Sequence, residues 1–470
     1  MNRSQFRRSR VAAGVIAAMS LLGAGHAFGA AFALQEESAS GLGNAFAGGA
    51  AAAEDASSMS VNPATLSKYT SPQVVLGVHF ITPSMKFKND GSQPAAFQPL
   101  GGDGGDAGST NVVPNLYLSV PLNPYLVFGL GINVPFGLVT EYDDDFIGRF
   151  QGLKSDVQTI NVNPALSWKV NDQFAIGGGV NWQHIKATFS QMVNYSGALA
   201  QAATQAAGQG AIPPELVPAI IGATPGLQSK STVDASDSAW GWNVGMLWDV
   251  NPATRVGLAY RSPMKFKATG NVGFDNPTPS VPAPLAPVVG LLAQQVNSVA
   301  LFNGGVNATV KLPDIANLSI FQSINDRWDW MADVQWTGWS TFKDLTFVRS
   351  TGDVLQSTPE NFDDVWRISV GTTYKYNDQW KFRGGVAFDQ SPVNSTDRTV
   401  RLPDGDRTWL AAGLQYKFSP QLRFDLGAAY IFVDKPSIDQ NAGSTAQNGL
   451  VKGHYDMNVV IVSGQMVYSF

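Results

Sequence analysis

Residues 365–389 read VWRISVGTTYKYNDQWKFRGGVAFD. In the first half Trp366, Ile368, Val370, Thr372, Tyr374 and Tyr376 fall on one face, and Arg367, Ser369, Gly371, Thr373 and Lys375 on the other. In the second half Trp380, Phe382, Val386 and Phe388 oppose Lys381, Arg383 and Ala387, with only Asn377, Asp378 and Gln379 between the halves. A period of two on both sides of a polar tripeptide predicts a β-hairpin, since a helix would repeat every 3.6 residues. The unit recurs at residues 414–432, LQYKFSPQLRFDLGAAYIF, where Leu414, Tyr416, Phe418, Leu422, Phe424, Leu426 and Tyr430 share a face.

Working outward, six short turns stand out, at residues 122–124, 171–173, 251–252, 325–326, 377–379 and 419–420, each with aromatic residues close by. Longer, more polar or lower-complexity connections alternate with them. One end of the structure therefore carries tight turns and the other long loops, the asymmetry of outer-membrane barrels. Six hairpins supply twelve strands. A first strand at residues 73–81 and a last at residues 457–470 bring the expected count to fourteen, an even number that leaves both strand termini on the tight-turn side. The chain ends QMVYSF, with Met466, Tyr468 and Phe470 on one face, as a closing strand of such a barrel would.

Composition agrees with this reading without forcing it. The 470 residues are 44% hydrophobic and 14% charged, with 48 glycines and no cysteine, and beyond the N-terminus no apolar run reaches the 18 residues of a helical span. A soluble β-sandwich would keep its outer faces polar, whereas these faces carry Trp, Tyr, Phe and Leu. In hydrocarbon only a closed sheet satisfies every backbone group. At the N-terminus Arg3, Arg7, Arg8 and Arg10 precede VAAGVIAAMSLLGAG, and small residues follow, so residues 1–29 read as a secretory signal peptide. Its loss takes the formal charge from -5 to -9, which opposes general attraction to nucleic acid.

Residues 30–72 lack strand alternation and are rich in small residues, a pattern compatible only with short helical pieces. Here GLGNAFAG (residues 41–48), followed by NPATL (residues 62–66), resembles the N-terminal hatch of the FadL family of long-chain fatty acid channels. Residues 364–393 and 401–418 extend the likeness over essentially the whole mature chain. The resemblance implies an all-β, fourteen-stranded antiparallel transmembrane barrel (residues 73–470) plugged by a hatch (residues 30–72) with short helices. It also implies residence in the outer membrane of a Gram-negative bacterium. The expected activity is uptake of hydrophobic compounds, foremost long-chain fatty acids, by passive diffusion through an apolar pocket and a lateral opening. Neutral aromatic hydrocarbons are the alternative cargo. Expected partners are the hydrophobic ligand and outer-membrane lipids, with no nucleic acid and no cofactor; a complete barrel needs no second subunit, so a monomer is expected.

The resemblance also assigns candidate residues. In GLGINVPFGLVTEYDD (residues 129–144), Val134, Pro135, Phe136 and Gly137 match the inward kink of the family's third strand; proline donates no ladder hydrogen bond and glycine weakens a strand. A position just above the bilayer would tolerate the same residues. Asn62, Pro63 and Ala64 match a hatch motif that lies beside the opening in relatives, and hatch movement there would regulate passage. Two apolar loops, residues 197–228 and 281–302, would form short helices with a capture groove between them. Its walls would be Leu216, Val217, Ile220, Ile221, Leu285, Val288, Val289, Leu291 and Leu292, unless the loops simply pack on each other. Asp389 matches an aspartate associated with ligand passage, though a lumen-facing carboxylate at a strand end would read the same. The basic residues expected in the inner pocket align with Gln191 and Thr358, which favours a neutral ligand unless Lys186, Arg349 or Arg367 substitutes. An outer-membrane lipid hydrolase is disfavoured. After cleavage only His79, His184 and His454 remain, with no nucleophile-elbow sequence and no metal-ligand spacing.

Overall fold

The computed structural model describes residues 31–440 and 445–470; the proposed signal peptide lies outside the described residues. Twenty strand segments make one sheet that closes on itself. They are β1 (Gln73–Asn89), β2 (Asn111–Asn123), β3 (Leu126–Asn133), β4 (Gly137–Glu141), β5 (Lys154–Lys169), β6 (Phe174–Asn194), β7 (Gln228–Asn251), β8 (Thr254–Arg261), β9 (Met264–Asp275) and β10 (Gly304–Leu312). The second half comprises β11 (Ile315–Ser323), β12 (Trp328–Thr337), β13 (Asp344–Arg349), β14 (Val354–Pro359), β15 (Val365–Lys375), β16 (Trp380–Asp389), β17 (Arg407–Lys417), β18 (Leu422–Val433), β19 (Ser437–Gln440) and β20 (Val451–Ser469). Prolines interrupt several staves, so the segments amount to a fourteen-stranded antiparallel barrel, closed by β1 against β20 from Gln73↔Ser469 to Asn89↔Gly453. No helix among the described residues is long and apolar enough to cross a membrane. The wall crosses with strands.

All six short turns fall where the sequence places them, and one device holds each. The side-chain oxygen of Asn123, Asn171, Asn251, Asn325, Asn377 or Ser419 accepts backbone N–H groups two or three residues on, for instance Tyr125 and Leu126 at 2.9 Å. That Asx or Ser turn fixes the reversal locally. The alternation then sorts the faces: in β15, Trp366, Ile368 and Val370 point out toward lipid, while Arg367 and Ser369 point into the lumen. The barrel is apolar outside and polar inside, the inverse of a soluble domain.

Residues 31–72 fill the lumen. A short helix α1 (Ala39–Leu42) and two 3-10 turns, Ala56–Ser60 and Pro63–Lys68, are capped by Ser38, Asp55 and Asn62. Ion pairs fasten this hatch near the tight-turn end: the wall residue Arg383, held by Asp425 of the wall at 2.7 Å, meets Glu54 at 3.2 Å, and Arg423 meets Asp55 at 2.6 Å. Above the long-loop end sit α2 (Tyr195–Gly208), α3 (Leu216–Ala223) and α4 (Ala286–Val299).

Candidate functional site: an apolar cavity beside an interrupted wall

The third stave breaks at Pro135. The β2–β3 ladder ends at Leu116↔Ile132, and β4 pairs with β5 alone, from Gly137↔Gln158 to Glu141↔Lys154. Residues 111–115 of β2 consequently find ladder partners only on β1. Pro114 stands on one lip of this gap and Pro135 on the other, neither able to donate a hydrogen bond across it.

The backbone freed by the kink is satisfied from inside the barrel. Leu34 N–H donates to Pro135 O at 2.9 Å, and Gly137 N–H donates to Phe32 O at 2.8 Å. Thr159 Oγ1 donates to Phe136 O at 2.6 Å. Buried backbone polar groups need such partners, so the first residues of the hatch act as a short strand added to the kink. Val134 and Phe136 are buried, and Phe136 joins an aromatic cluster with Phe32 and Trp339.

Against this kink lies a cavity inside the barrel. Its wall is almost wholly apolar, with Phe32, Leu138, Val157, Ile185, Phe189, Phe342, Phe347 and Phe362 among its lining, plus small residues such as Ala187, Ala235 and Ala268. The lining suits the hydrocarbon portion of a ligand. Phe32 belongs to both features: its ring lines the cavity and its carbonyl holds the kink.

Two charged side chains interrupt the apolar lining, Glu360 and Arg401. Glu360 lies between β14 and β15 and is 4% exposed, and its Oε2 has no hydrogen-bond partner. Arg401, 6% exposed, donates from Nη2 to Gln191 Oε1 at 2.7 Å and from Nη1 to Lys154 O at 3.1 Å. Burial pushes the Glu360 carboxyl up to about 8, against the opposing pull of Arg401. Burial likewise lowers Arg401 to about 10, where it remains cationic at neutral pH.

Arg401 corrects the expectation of a cavity without a cation. Gln191 is present where relatives are expected to carry a basic residue, yet it orients the guanidinium of Arg401. None of the three substitutes considered from sequence lines the cavity. Lys186 is exposed. Arg349 caps the end of α4 through Ala300 O and Phe302 O, and Arg367 bonds Ala45 O in the hatch. Thr358 is buried and bonded to Gln356. No motif marks Arg401 in the sequence; the available signal is an arginine wedged between Val400 and Leu402.

The other candidate residues scatter. Asn62 is fully buried; its Nδ2 donates to Ala50 O and Met246 O, while its Oδ1 accepts from Ala64 N–H. Lumen-facing Gly177 and Gly245 make room here, since a Cβ would meet Ala64 N at 2.4 Å or Asn62 Oδ1 at 1.9 Å. Ser167 of β5 bonds Ala64 O, whereas Thr159 of β5 bonds the kink. Those eight positions along β5 span ~26 Å, so the structure does not bring motif and kink together. Asp389 is buried 3.8 Å from Arg407, outside the cavity lining. Arg407 is also paired with Asp404, whose other oxygen accepts the N–H of Ala31.

The apolar loops form helices where expected, α3 and α4, and α2 joins them. Their residues divide. Ile220, Val289 and Leu292 are buried in one cluster with Leu199 and Val296, so here the loops pack on each other. Leu216, Val217, Ile221, Leu285 and Val288 are half-buried, and Leu291 is 69% exposed. An open groove runs instead between residues 277–281 and α4, with Val289 the one sequence-nominated residue in its lining.

A closed, hatch-filled β-barrel with a lipid-facing apolar exterior and a buried apolar cavity is an outer-membrane channel for hydrophobic solutes. Residues 20–470 match the family described as outer membrane protein transport protein (OMPP1/FadL/TodX), and the chain belongs to it. That family consists of transport channels rather than enzymes, and this protein resides in the outer membrane. The long-chain fatty acid transport protein of Escherichia coli O6:H1 is 31% identical over 423 residues, covering 89% of this chain and 91% of that protein. Outer membrane protein P1 of Haemophilus influenzae (strain ATCC 51907 / DSM 11121 / KW20 / Rd) is 32% identical over 432 residues, 89% of each. Among solved structures, a Pseudomonas aeruginosa FadL homologue superposes with a TM-score of 0.81 at 27% identity, covering 94% of this chain and all of that one.

Proposed function

We propose that this channel takes up long-chain fatty acids by passive diffusion and releases them sideways through the wall at Pro135. The curated relatives carry that cargo in their names, and the cavity offers an apolar wall with one buried cation. A single observation carries the route: below the cavity the lumen is filled by a hatch held by ion pairs to the wall, while beside it the wall pairing stops. An apolar chain would lose heavily by displacing ion pairs from their partners, and loses nothing by entering lipid.

In this reading the loop helices gather ligand, the groove beside α4 admits it, and the cavity holds it. Residues 31–34 then leave the kink to open Val134, Pro135, Phe136 and Gly137 to the bilayer. Residues 62–64 anchor the hatch to β5, β6 and β7 rather than gate the exit. The barrel works as a monomer surrounded by outer-membrane lipid.

The chain contains no cysteine, so one engineered pair is unambiguous. Ala33 and Phe136 form an antiparallel bridge, a spacing that a disulfide can span. Oxidised Ala33→Cys/Phe136→Cys protein is expected to bind fatty acid but to stop delivering it, with transport restored by reduction. Equal transport by oxidised and reduced forms would refute the lateral route.

A further inference from the structure

The wall carries a second interruption, on its outer side, toward the long-loop end and in different staves from the kink. β10 pairs with β13 at three positions only, Val306↔Arg349 to Ala308↔Phe347, and the β11–β12 ladder stops at Ile315↔Thr337. Between these two ladders, residues 309–312 find ladder partners only on β9. The stretch that should face them turns inward through a 3-10 turn, Trp339–Thr341, and buries Trp339 and Phe342 against Phe32. On the outside this leaves a groove lined by Lys265, Lys311, Lys343, Asn307, Thr309 and Thr341. Ala308 and Val310 line the inner cavity, so the alternation sends Thr309 and Lys311 out of the barrel.

The groove sits at the upper edge of the lipid-facing band. Along β7 the exposed tryptophans run from Trp248 up to Trp240, and Ser238, Ser236 and Asp234 follow above. Those eight positions span ~26 Å along the strand, the height of the apolar band of such barrels. Trp242 packs on Tyr260 with ring centroids 5.4 Å apart, and the Tyr260 hydroxyl donates to Asp314 at 2.8 Å. From this aromatic rim the chain climbs toward the long loops, past Lys265 on one stave and Lys311 on the next.

The charges in the groove are uncompensated. Lys265 and Lys311 are direct cross-strand neighbours on the outward face, where like charges repel. Among the described residues, none of Lys265, Lys311 and Lys343 forms an ion pair. Toward the same end, Lys86, Lys154, Lys230, Lys435 and Lys452 each face a carboxylate. Of the acids nearby, Asp344 accepts from Thr346 and Asp237 from the backbone N–H of Lys267.

We propose that this groove binds the phosphorylated head group of an outer-leaflet glycolipid. Lysine ammonium groups are point charges suited to phosphate, and Asn307 and Thr309 add neutral donors. A phosphate between Lys265 and Lys311 turns their repulsion into attraction. The acyl chains descend over the outward Leu318, Trp336 and Trp366. The lipid thereby covers the second interruption from outside, whatever solute the cavity carries.

The test uses the purified full-length channel in detergent, with binding read by native mass spectrometry. The probes are hexa-acyl diphosphoryl lipid A, the same lipid without phosphates, and the acyl-free glucosamine disaccharide bisphosphate. Removing one lysine beside an anionic lipid head group lowers affinity roughly 5-fold, so Lys265→Gln/Lys311→Gln/Lys343→Gln should bind the diphosphoryl lipid roughly 100-fold more weakly. The phosphate-free lipid should bind parent and variant alike. Arginine at the same three positions should restore binding, and Lys86→Gln/Lys435→Gln/Lys452→Gln, which removes paired lysines, should leave it unchanged. Unchanged heat-modified gel migration verifies the barrel, and fatty acid binding by the same samples, expected at the parent level, reports separately on the channel reading. Equal parent affinity for the phosphorylated and phosphate-free lipids, no loss in the triple glutamine variant, or equal loss in the paired-lysine control would overturn the site. Acyl-free bisphosphate bound as tightly as the lipid would overturn the membrane source of the ligand.

Discussion

Phe32→Ala is the sharpest perturbation of the closed exit. Phe32 is buried, with ring centroids 4.8 Å from Trp339, 5.8 Å from Phe342 and 6.0 Å from Phe136. Truncating a core phenylalanine costs about 3–5 kcal/mol. The loss falls on the segment that Phe32 anchors, because the rest of residues 31–34 reach the kink through backbone hydrogen bonds and smaller apolar side chains, Leu34 sharing a cluster with Val134. Taking the lower end, about 3 kcal/mol, the ratio of closed to open kink falls roughly 100-fold. Hydrogen exchange reads this directly, since the Gly137 amide is bonded to Phe32 O and the Leu34 amide to Pro135 O. Both should lose protection by that factor, while amides of the β6–β7 ladder keep theirs. Phe32→Leu, which conserves most of the volume, should cost under about 1.5 kcal/mol and move protection far less. Unchanged exchange at Gly137 in Phe32→Ala, or equal loss throughout the barrel, would refute the view that this ring holds the exit shut.

Two further outcomes check other parts of the structure. Asp425→Ala leaves Arg383 buried with only Glu54 as a charge partner and should destabilise the plugged barrel by about 3–5 kcal/mol, read as a lower urea midpoint; an unmoved midpoint would mean this charge cluster does not stabilise the barrel. Leu292→Asp places a carboxylate inside the helix cluster and should expose α2, α3 and α4 to proteolysis, whereas Leu291→Asp, on the outer surface, should keep them intact and slow only the initial capture of ligand.

The periodicity in residues 365–389 and its repeats carried the architecture, because a strand of a lipid-facing barrel obeys a two-residue rule at every position. The turn residues were equally legible. Asn and Ser at the head of each reversal act through their own side chains on their own backbone, so no distant partner is needed. The kink was legible for a related reason: Pro135 removes a donor wherever it is placed. The loop helices appeared in the sequence as apolar runs, but which faces they bury did not. Ile220, Val289 and Leu292 are buried only because α2 folds across them, and residues 195–208 carried little more than alanine to announce that helix.

What the chain alone determined about this protein is therefore what short-range chemistry dictates: strand number, turn positions, outward faces and the weak point in one stave, with the plug implied by resemblance. What folding in three dimensions decided is which distant residues share a space. Arg401 reaches the cavity from a connection far along the chain and meets Gln191 across 210 positions. Phe32 bonds a kink more than a hundred residues away. Such meetings depend on barrel closure and hatch placement, which sum many weak pairings, and no local pattern encodes them.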